Sequence, residues 1–277
     1  MLLIEISGVE GSGKSSLALS AAQYDPPIDY ANFDGNLWQA AGRFIAELKS
    51  KEIRVEDFGD LGDDEKSKQK IDAEWNHVRT WLDKKLREEK GTIVLDTFDY
   101  VADLIKRSLV VGFLQGEELK PNAHAPANAW LDGFIARMKK SKRTVIIMNK
   151  VTNPWEIIGQ SEAGKNQWGY NRDKWVRALP QHFVDTLRYA IHFSFFTTAI
   201  IYQPNAQAIE NWKKAADEGK KLMEPKASAT FWAEYTESKP NKLLVGKRVS
   251  DPTIGKLLDD EKIKQALDVA ALLRGEA

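Results

Sequence analysis

The densest chemistry in the chain lies in eight consecutive residues, Gly8-Val9-Glu10-Gly11-Ser12-Gly13-Lys14-Ser15. Glycines at this spacing let successive backbone N–H groups turn toward a single point. A helix beginning at Lys14 would add the positive end of its dipole at the same place. Lys14 supplies an ammonium for the outer phosphates, and the Ser15 hydroxyl suits a divalent cation. A triphosphate is the anion that such a cradle fits. Glu10, Gly11, Ser12, Gly13, Lys14, Ser15 and Ser16 are therefore the expected nucleotide-binding residues.

Three further polar positions fall at the ends of apolar runs. Asp96 closes Thr92-Ile93-Val94-Leu95, at the carboxyl end of an expected buried strand, where open α/β sheets bind ligands. It is expected to hold Mg²⁺ through water together with Ser15, a role that does not exclude capping the helix that follows. Asp34 follows the run Ile28–Phe33 and is a candidate to orient the attacking water and accept its proton. Asp34-Gly35-Asn36 also has the composition of a plain turn. Asn149-Lys150 follows Thr144–Met148. Asn149-Lys150-Val151-Thr152 departs from the Asn-Lys-x-Asp guanine motif at its fourth position, where threonine replaces the carboxylate that would read the guanine amino group. Asp96-Thr97-Phe98-Asp99 likewise lacks the glycine of a GTPase switch. Both departures turn the expectation from GTP to ATP.

The elements that must position these residues follow from periodicity. Leu2–Ser7 reads as a strand, the glycine-rich segment as its loop, and Ser15–Gln23 as a helix. Ile28–Phe33 reads as a second strand and Leu37–Leu48 as a short helix, followed by an acidic loop over 56–66. Ile71, Trp75, Val78, Leu82 and Leu86 recur every three or four residues, one face of an amphipathic helix that Gly91 ends. After Asp96 come a helix, a loop with Pro121 and Pro126, and a helix through Trp130, Phe134 and Met138. Residues 153–172 lack periodicity and read as a long loop. Phe183–Phe196 reads as helix then strand, Gln207–Leu222 as a polar helix, and Phe231–Tyr235 with Lys242–Val249 as an antiparallel hairpin around Lys239-Pro240-Asn241. The expected fold is α/β: a mainly parallel sheet covered on both faces by helices, with an antiparallel hairpin near the end. Residues 1–250 would form one ATPase domain and 251–277 a helical tail.

Bulk properties narrow the class. The 277 residues are 43% hydrophobic, enough to cover both faces of a sheet. Forty basic and forty acidic residues cancel, so nucleic-acid binding would need a local patch. There is no cysteine, which excludes disulfides, thiolate zinc sites and cysteine nucleophiles. The opening residues lack the pattern of a secretory leader, and no run is long enough to span a membrane, so a cytoplasmic enzyme is expected. His77, His124, His182 and His192 are scattered, with no spacing that suggests a metal site.

Taken in order, these pieces resemble the RecA-like recombinase core, over roughly residues 2–250. Gly8-Val9-Glu10-Gly11-Ser12-Gly13-Lys14-Ser15-Ser16 resembles that family's Gly-Pro-Glu-Ser-Ser-Gly-Lys-Thr-Thr. Tyr30–Gly35 resembles the strand that ends in the family's catalytic glutamate, which places Asp34 at the general base. Ile146–Lys150 resembles the strand ending in Asn-Gln, with Lys150 where a glutamine senses the γ-phosphate. Lys242–Val249 resembles a late strand whose cations, here Lys247 and Arg248, reach the nucleotide of a neighbouring subunit. The likeness is closest to short, single-domain RecA-like ATPases that phages encode beside annealing and replication proteins. It implies ATP hydrolysis with Mg²⁺, a ring or filament of identical subunits, and action with single-stranded DNA in recombination or replication. The aromatics and cations of Trp155, Lys165, Trp168, Tyr170 and Arg172 suit base stacking and phosphate neutralisation, and are the expected DNA-binding residues.

Two rival classes use the same cradle. A nucleoside or small-metabolite kinase would carry an arginine-rich lid, and no such lid stands out in this sequence. An assembly or regulatory switch would bind ATP with little turnover.

Overall fold

A computed structural model describes the chain except residues 1, 36, 59–60, 62–64, 115–120, 153–154, 161–165, 171–175, 178–180, 266–267 and 269–277. For residues 38–39, 121, 152, 155–160, 166–170, 176–177 and 181 it describes the backbone only.

Strand β1 (Leu3–Gly8) is buried on both faces and runs straight into the glycine-rich loop and α1 (Lys14–Leu19). An α/β alternation follows: β2 (Ile28–Asn32), α2 (Leu37–Ala41), α3 (Ile45–Lys49), β3 (Ile53–Asp57), α4 (Lys68–Lys85), β4 (Thr92–Asp96), α5 (Phe98–Leu109), α6 (Ala125–Lys140) and β5 (Thr144–Thr152). The second half comprises β6 (Trp155–Gln160), β7 (Asn166–Tyr170), β8 (Val176–Arg177), α7 (Gln181–Ala190), β9 (Phe193–Tyr202), α8 (Ala206–Asp217), β10 (Ser228–Ser238), β11 (Arg248–Ser250) and α9 (Ile254–Leu258).

Eight strands lie in the order β11-β10-β9-β1-β5-β4-β2-β3, and β8 pairs with β5 outside this row. From β9 to β3 every neighbouring pair is parallel. β10 returns antiparallel to β9, and β11 antiparallel to β10. The mainly parallel α/β sheet with antiparallel strands at its late edge is thus the architecture expected.

Alternation along the strands divides the core between two faces. Leu3, Ile93, Leu95, Val145 and Ile147 pack against the apolar stripes of α4, α5, α6 and α7. Ile4, Ile6, Tyr30, Val94, Ile146 and Met148 pack on the other face, against α1, α2 and α9. The stripe on α4 is as the periodicity indicated, with Trp81 added to it. The inner parallel strands are therefore buried on both sides, and the parallel strands all end at the same rim of the sheet.

A buried ionic cluster pins the opposite end. The Arg143 side chain is fully enclosed and reaches Asp29 at 2.6 Å and Glu88 at 3.0 Å. Asp29 also takes Lys85 at 2.8 Å and Arg54 at 2.7 Å. This joins β2, β3, the end of α4 and the start of β5 through one carboxylate.

The structure corrects four expectations. The aperiodic stretch 153–172 is not a long loop: β6 and β7 form a two-stranded antiparallel ribbon, which its mixed polar and aromatic composition hid. The acidic segment from 56 begins inside β3, whose Glu56 and Asp57 pair with Ala31 and Asn32 at the sheet's edge, where charged side chains keep solvent access. Pro126 lies in the first turn of α6, where its missing N–H costs nothing, rather than in the preceding loop. Lys242–Val249 is not one strand. Asn241 Oδ1 accepts the Leu243 N–H at 3.2 Å and starts a 3₁₀ turn over Lys242–Leu244, so pairing with β10 begins only at Arg248.

Candidate functional site

At the carboxyl ends of β1, β2, β4 and β5 the rim opens into a cleft of about 370 Å³. Its lining includes Glu10 to Ser16 in sequence, then Asp34, Asp96 and Lys150. Residues far apart in the chain thus meet in one place, because the strands that deliver them are parallel neighbours.

The loop is shaped by contacts beneath and beside it. Gly13 has φ +87°, and a Cβ there would come within 2.8 Å of the Phe231 ring. Gly8 allows no side chain either, since a Cβ would meet Thr197 Oγ1 at 2.4 Å. That hydroxyl bonds Ser12 Oγ at 2.7 Å and donates to the Ser7 carbonyl at 3.3 Å, tying β9 to the underside of the loop. Lys14 curls back, with Nζ donating to the carbonyls of Gly8 at 3.0 Å and Val9 at 2.9 Å. Burial lowers its pKa, and the nearby Asp96 and Asp34 only partly oppose this.

Asp96 is nearly enclosed at the tip of β4. Its Oδ2 accepts the Ser15 hydroxyl at 3.0 Å and the Tyr30 hydroxyl in a short bond. Burial, then the charge of Asp34, pushes its pKa up to about 6, against the donors Tyr30 and Ser15. Tyr30 in turn is held well above its ordinary value by burial and by the Asp96 charge, so it remains a donor. Ser15 and Asp96 thus set two oxygen donors 3.0 Å apart in the cleft. Among the described residues no group of three or more His, Cys, Asp or Glu side chains could hold a metal ion.

A second acid group sits one helical turn on. Asp99 Oδ2 accepts the Lys150 backbone N–H at 2.8 Å, and its other oxygen is buried without a hydrogen-bond partner. Burial raises Asp99 to about 7, opposed by that N–H and by the charge of Lys150. The Lys150 ammonium lies 3.9 Å from Asp34 Oδ2. Asn149, by contrast, faces down into the sheet. Its Nδ2 donates to the fully buried Glu5 at 2.8 Å, and Ser194 donates to the other Glu5 oxygen at 2.9 Å.

The comparisons with known proteins add little to this picture. No family model matches the chain, and no curated protein does. Among solved structures one similarity concerns an ATP synthase subunit. This is a subunit NeqB from Nanoarcheaum equitans, 14% identical, with a TM-score of 0.40 over 76% of this chain and 47% of that one. The chain therefore spans about half the length of that subunit.

Of the residues singled out from sequence, Glu10 to Ser16, Asp34, Asp96 and Lys150 share the cleft. Lys247 and Arg248 do not line it; both are exposed at the β11 edge, where Arg248 pairs with Glu234 of β10. Lys165 and Arg172 lie outside the described residues. Trp155, Trp168 and Tyr170 fall in the β6–β7 ribbon, with Trp155 in register with Tyr170 and Trp168 with Ile157. Sequence reasoning missed Tyr30, Asp99, Thr197, Arg43 and Phe231. In the sequence Asp99 stands out only as the residue that breaks a GTPase motif. Tyr30 and Thr197 carried a weak signal, as polar groups inside or at the end of apolar strands.

Proposed function

We propose that the chain is a Mg²⁺-dependent ATPase of the P-loop class with a RecA-like core, acting with single-stranded DNA. The observation that carries this reading is the meeting of Lys14, Ser15, Asp96, Asp34 and Lys150 in one cleft at the strand ends. ATP would lie with its phosphates along Gly11–Ser16, at the N-terminus of α1. Mg²⁺ would take the Ser15 hydroxyl, Asp96 through water, and phosphate oxygens for the rest of its shell. That sharing suits a small cation that retains its waters and rarely uses an all-protein cage.

In hydrolysis the oxygen of a water attacks the γ-phosphorus as the bond to the β,γ-bridging oxygen breaks. The water's proton passes to Asp34, and the products are ADP and inorganic phosphate. Lys14 and Lys150 face the charge that spreads over the γ-oxygens. β5, which carries Lys150, continues to Thr152 and pairs there with β8, next to the β6–β7 ribbon in sequence. The aromatic-rich ribbon thus follows in sequence from the strand that carries Lys150, which supports a role for nucleotide in setting DNA contacts.

The test measures ATP turnover with and without single-stranded DNA, in wild type and in Lys14→Ala. Turnover that rises with DNA, weakens with salt and is lost in Lys14→Ala is expected. Wild-type turnover no greater than that of Lys14→Ala would remove the ATPase reading. Turnover indifferent to DNA, with no binding at low salt, would remove the DNA role alone.

A further inference from the structure

Beyond Ser16 the phosphate cleft continues into a second hollow of about 220 Å³. The two share Ser12, Gly13, Ser16, Arg43 and Phe231, so they form one channel. At its first end stand the ionic groups Asp96, Asp34 and Lys150. Phe231 and Arg43 stand where the two hollows meet, and the turn Asp251-Pro252-Thr253 lines the other end.

We infer that this second hollow is the nucleoside end of the channel, with Phe231 as the stacking platform for the base and Asp251 as its hydrogen-bond acceptor. The inference rests on the proposed phosphate site, which fixes the direction in which a nucleotide would lie. If the γ-phosphate is at Asp96 and Lys150, the α-phosphate falls near Ser16 and the nucleoside must leave toward Phe231. The chemistry changes accordingly along the channel, from the carboxylates and lysines of the phosphate end to an aromatic ring flanked by Arg43 and a single carboxylate, Asp251.

Phe231 is half-buried on β10 and rests against Gly13, so its position is fixed relative to the loop. The Arg43 guanidinium lies 5.7 Å from the ring centroid, near the limit for a cation–π contact. Arg43 is exposed, and a planar base would exchange that loose contact for ring stacking, with the guanidinium free to cover the base's outer face. The Asp251 N–H donates to the Phe231 carbonyl at 2.8 Å, and both residues line the same hollow. The residue adopts φ +44°, a backbone region that Asp and Asn tolerate better than most side chains. A carboxylate here accepts hydrogen bonds only, so it selects a donor, either a ribose hydroxyl or an exocyclic amino group.

The test compares the affinities of Mg²⁺-ATP and of Mg²⁺-tripolyphosphate for wild type, Phe231→Leu, Phe231→Trp and Asp251→Asn, by calorimetry. Leucine retains bulk against Gly13 but cannot stack. Phe231→Leu is expected to weaken ATP about tenfold or more while leaving tripolyphosphate within about twofold, and Phe231→Trp to retain ATP. Asp251→Asn, which keeps one acceptor but removes the charge, should weaken ATP selectively by a smaller factor. Loss of its effect with 2′,3′-dideoxy-ATP assigns the donor to the ribose, and loss with ITP assigns it to the amino group. Equal losses for ATP and tripolyphosphate, or no loss for either, overturn the nucleoside site. If wild type fails to bind tripolyphosphate at all, the phosphate site itself falls, and this inference with it.

Discussion

Asp96 Oδ2 accepts the Ser15 hydroxyl at 3.0 Å, joining the tip of β4 to the first turn of α1 across 81 residues of sequence. β5 lies between β1 and β4, so this contact bridges over an entire strand at the sheet's rim. The two side chains are the oxygen pair that a cation at this place would use. Asp96→Asn keeps the size and one acceptor but removes the charge. It is expected to raise the Mg²⁺ concentration needed for half-maximal ATP turnover and to lower turnover at saturation by about 10²-fold or more. Magnesium titrations of the two proteins check this, and an unchanged midpoint would remove Asp96 from the metal site.

Lys14 stands closer to the phosphates than any other cation in this reading. Lys14→Ala should reduce turnover about 10²–10³-fold. Its fold should survive, because the ammonium's present partners are two loop carbonyls that water can satisfy. Circular dichroism alongside the kinetic assay separates loss of chemistry from loss of structure.

How much of this could be read in advance depends on what each feature rests on. The phosphate loop, β4 and the α4 stripe were legible because local spacing alone specifies them. Asp34, Asp96 and Lys150 were legible as strand-end residues, and parallel pairing then brought them together. Thr197, Phe231 and Asp251 were not, since their place beside Gly8 and Gly13 depends on β9 and β10 joining the sheet next to β1, a pairing no local pattern encodes. The β6–β7 ribbon was hidden for another reason. Its pairing joins stretches of mixed polarity, so neither strand shows the alternation that a buried face imposes.

The two raised carboxyls give the folded chain a defined pH dependence. Asp96 titrates at about 6 and Asp99 at about 7, both above the ordinary 3.8. Between pH 3.8 and these values the folded state retains protons that the unfolded state has lost, so these groups make stability fall as pH rises through that window. Asp99→Asn imitates the protonated form and still accepts the Lys150 N–H. It should match wild type near pH 4 and exceed it at pH 8, with Tm higher by about 2–4 °C. Thermal unfolding of both proteins from pH 4 to 8 tests this; parallel curves would mean that Asp99 ionises normally.

Asp29 is the shared partner of Arg54, Lys85 and Arg143, within 2.6–2.8 Å of each. Asp29→Ala leaves the fully buried Arg143 with Glu88 and carbonyl oxygens as its remaining acceptors. Breaking a buried ion pair by removing one partner costs about 3–5 kcal/mol, and the partly exposed Glu88 offsets only part of the lost charge, so denaturant midpoints should drop sharply. Arg54→Ala, whose side chain is 42% exposed, should cost no more than about 1 kcal/mol. The contrast between the two variants is the measurement, and similar losses would show that the cluster does not act through Arg143.

Lys247 and Arg248 stand away from the cleft of their own chain, so any part they take in hydrolysis must be played on another copy. Arg248 now pairs with Glu234, but at an exposed edge, where such a pair is worth at most about 1 kcal/mol. Releasing the guanidinium toward a neighbour's γ-phosphate is therefore inexpensive. If that neighbour forms, turnover per protomer should rise with protein concentration, and Arg248→Ala should reduce the plateau by about 10³-fold without changing the dilute rate. Glu234→Gln should leave the plateau intact or raise it, since it frees the arginine without removing it. Mixing Arg248→Ala with Lys14→Ala provides the decisive arm: one protein retains the cradle and the other the finger, so a mixture more active than either alone requires contact between copies. A mixture no better than its parts, together with a turnover independent of concentration, would confine the chemistry to single chains and leave Arg248 as a solvated edge cation.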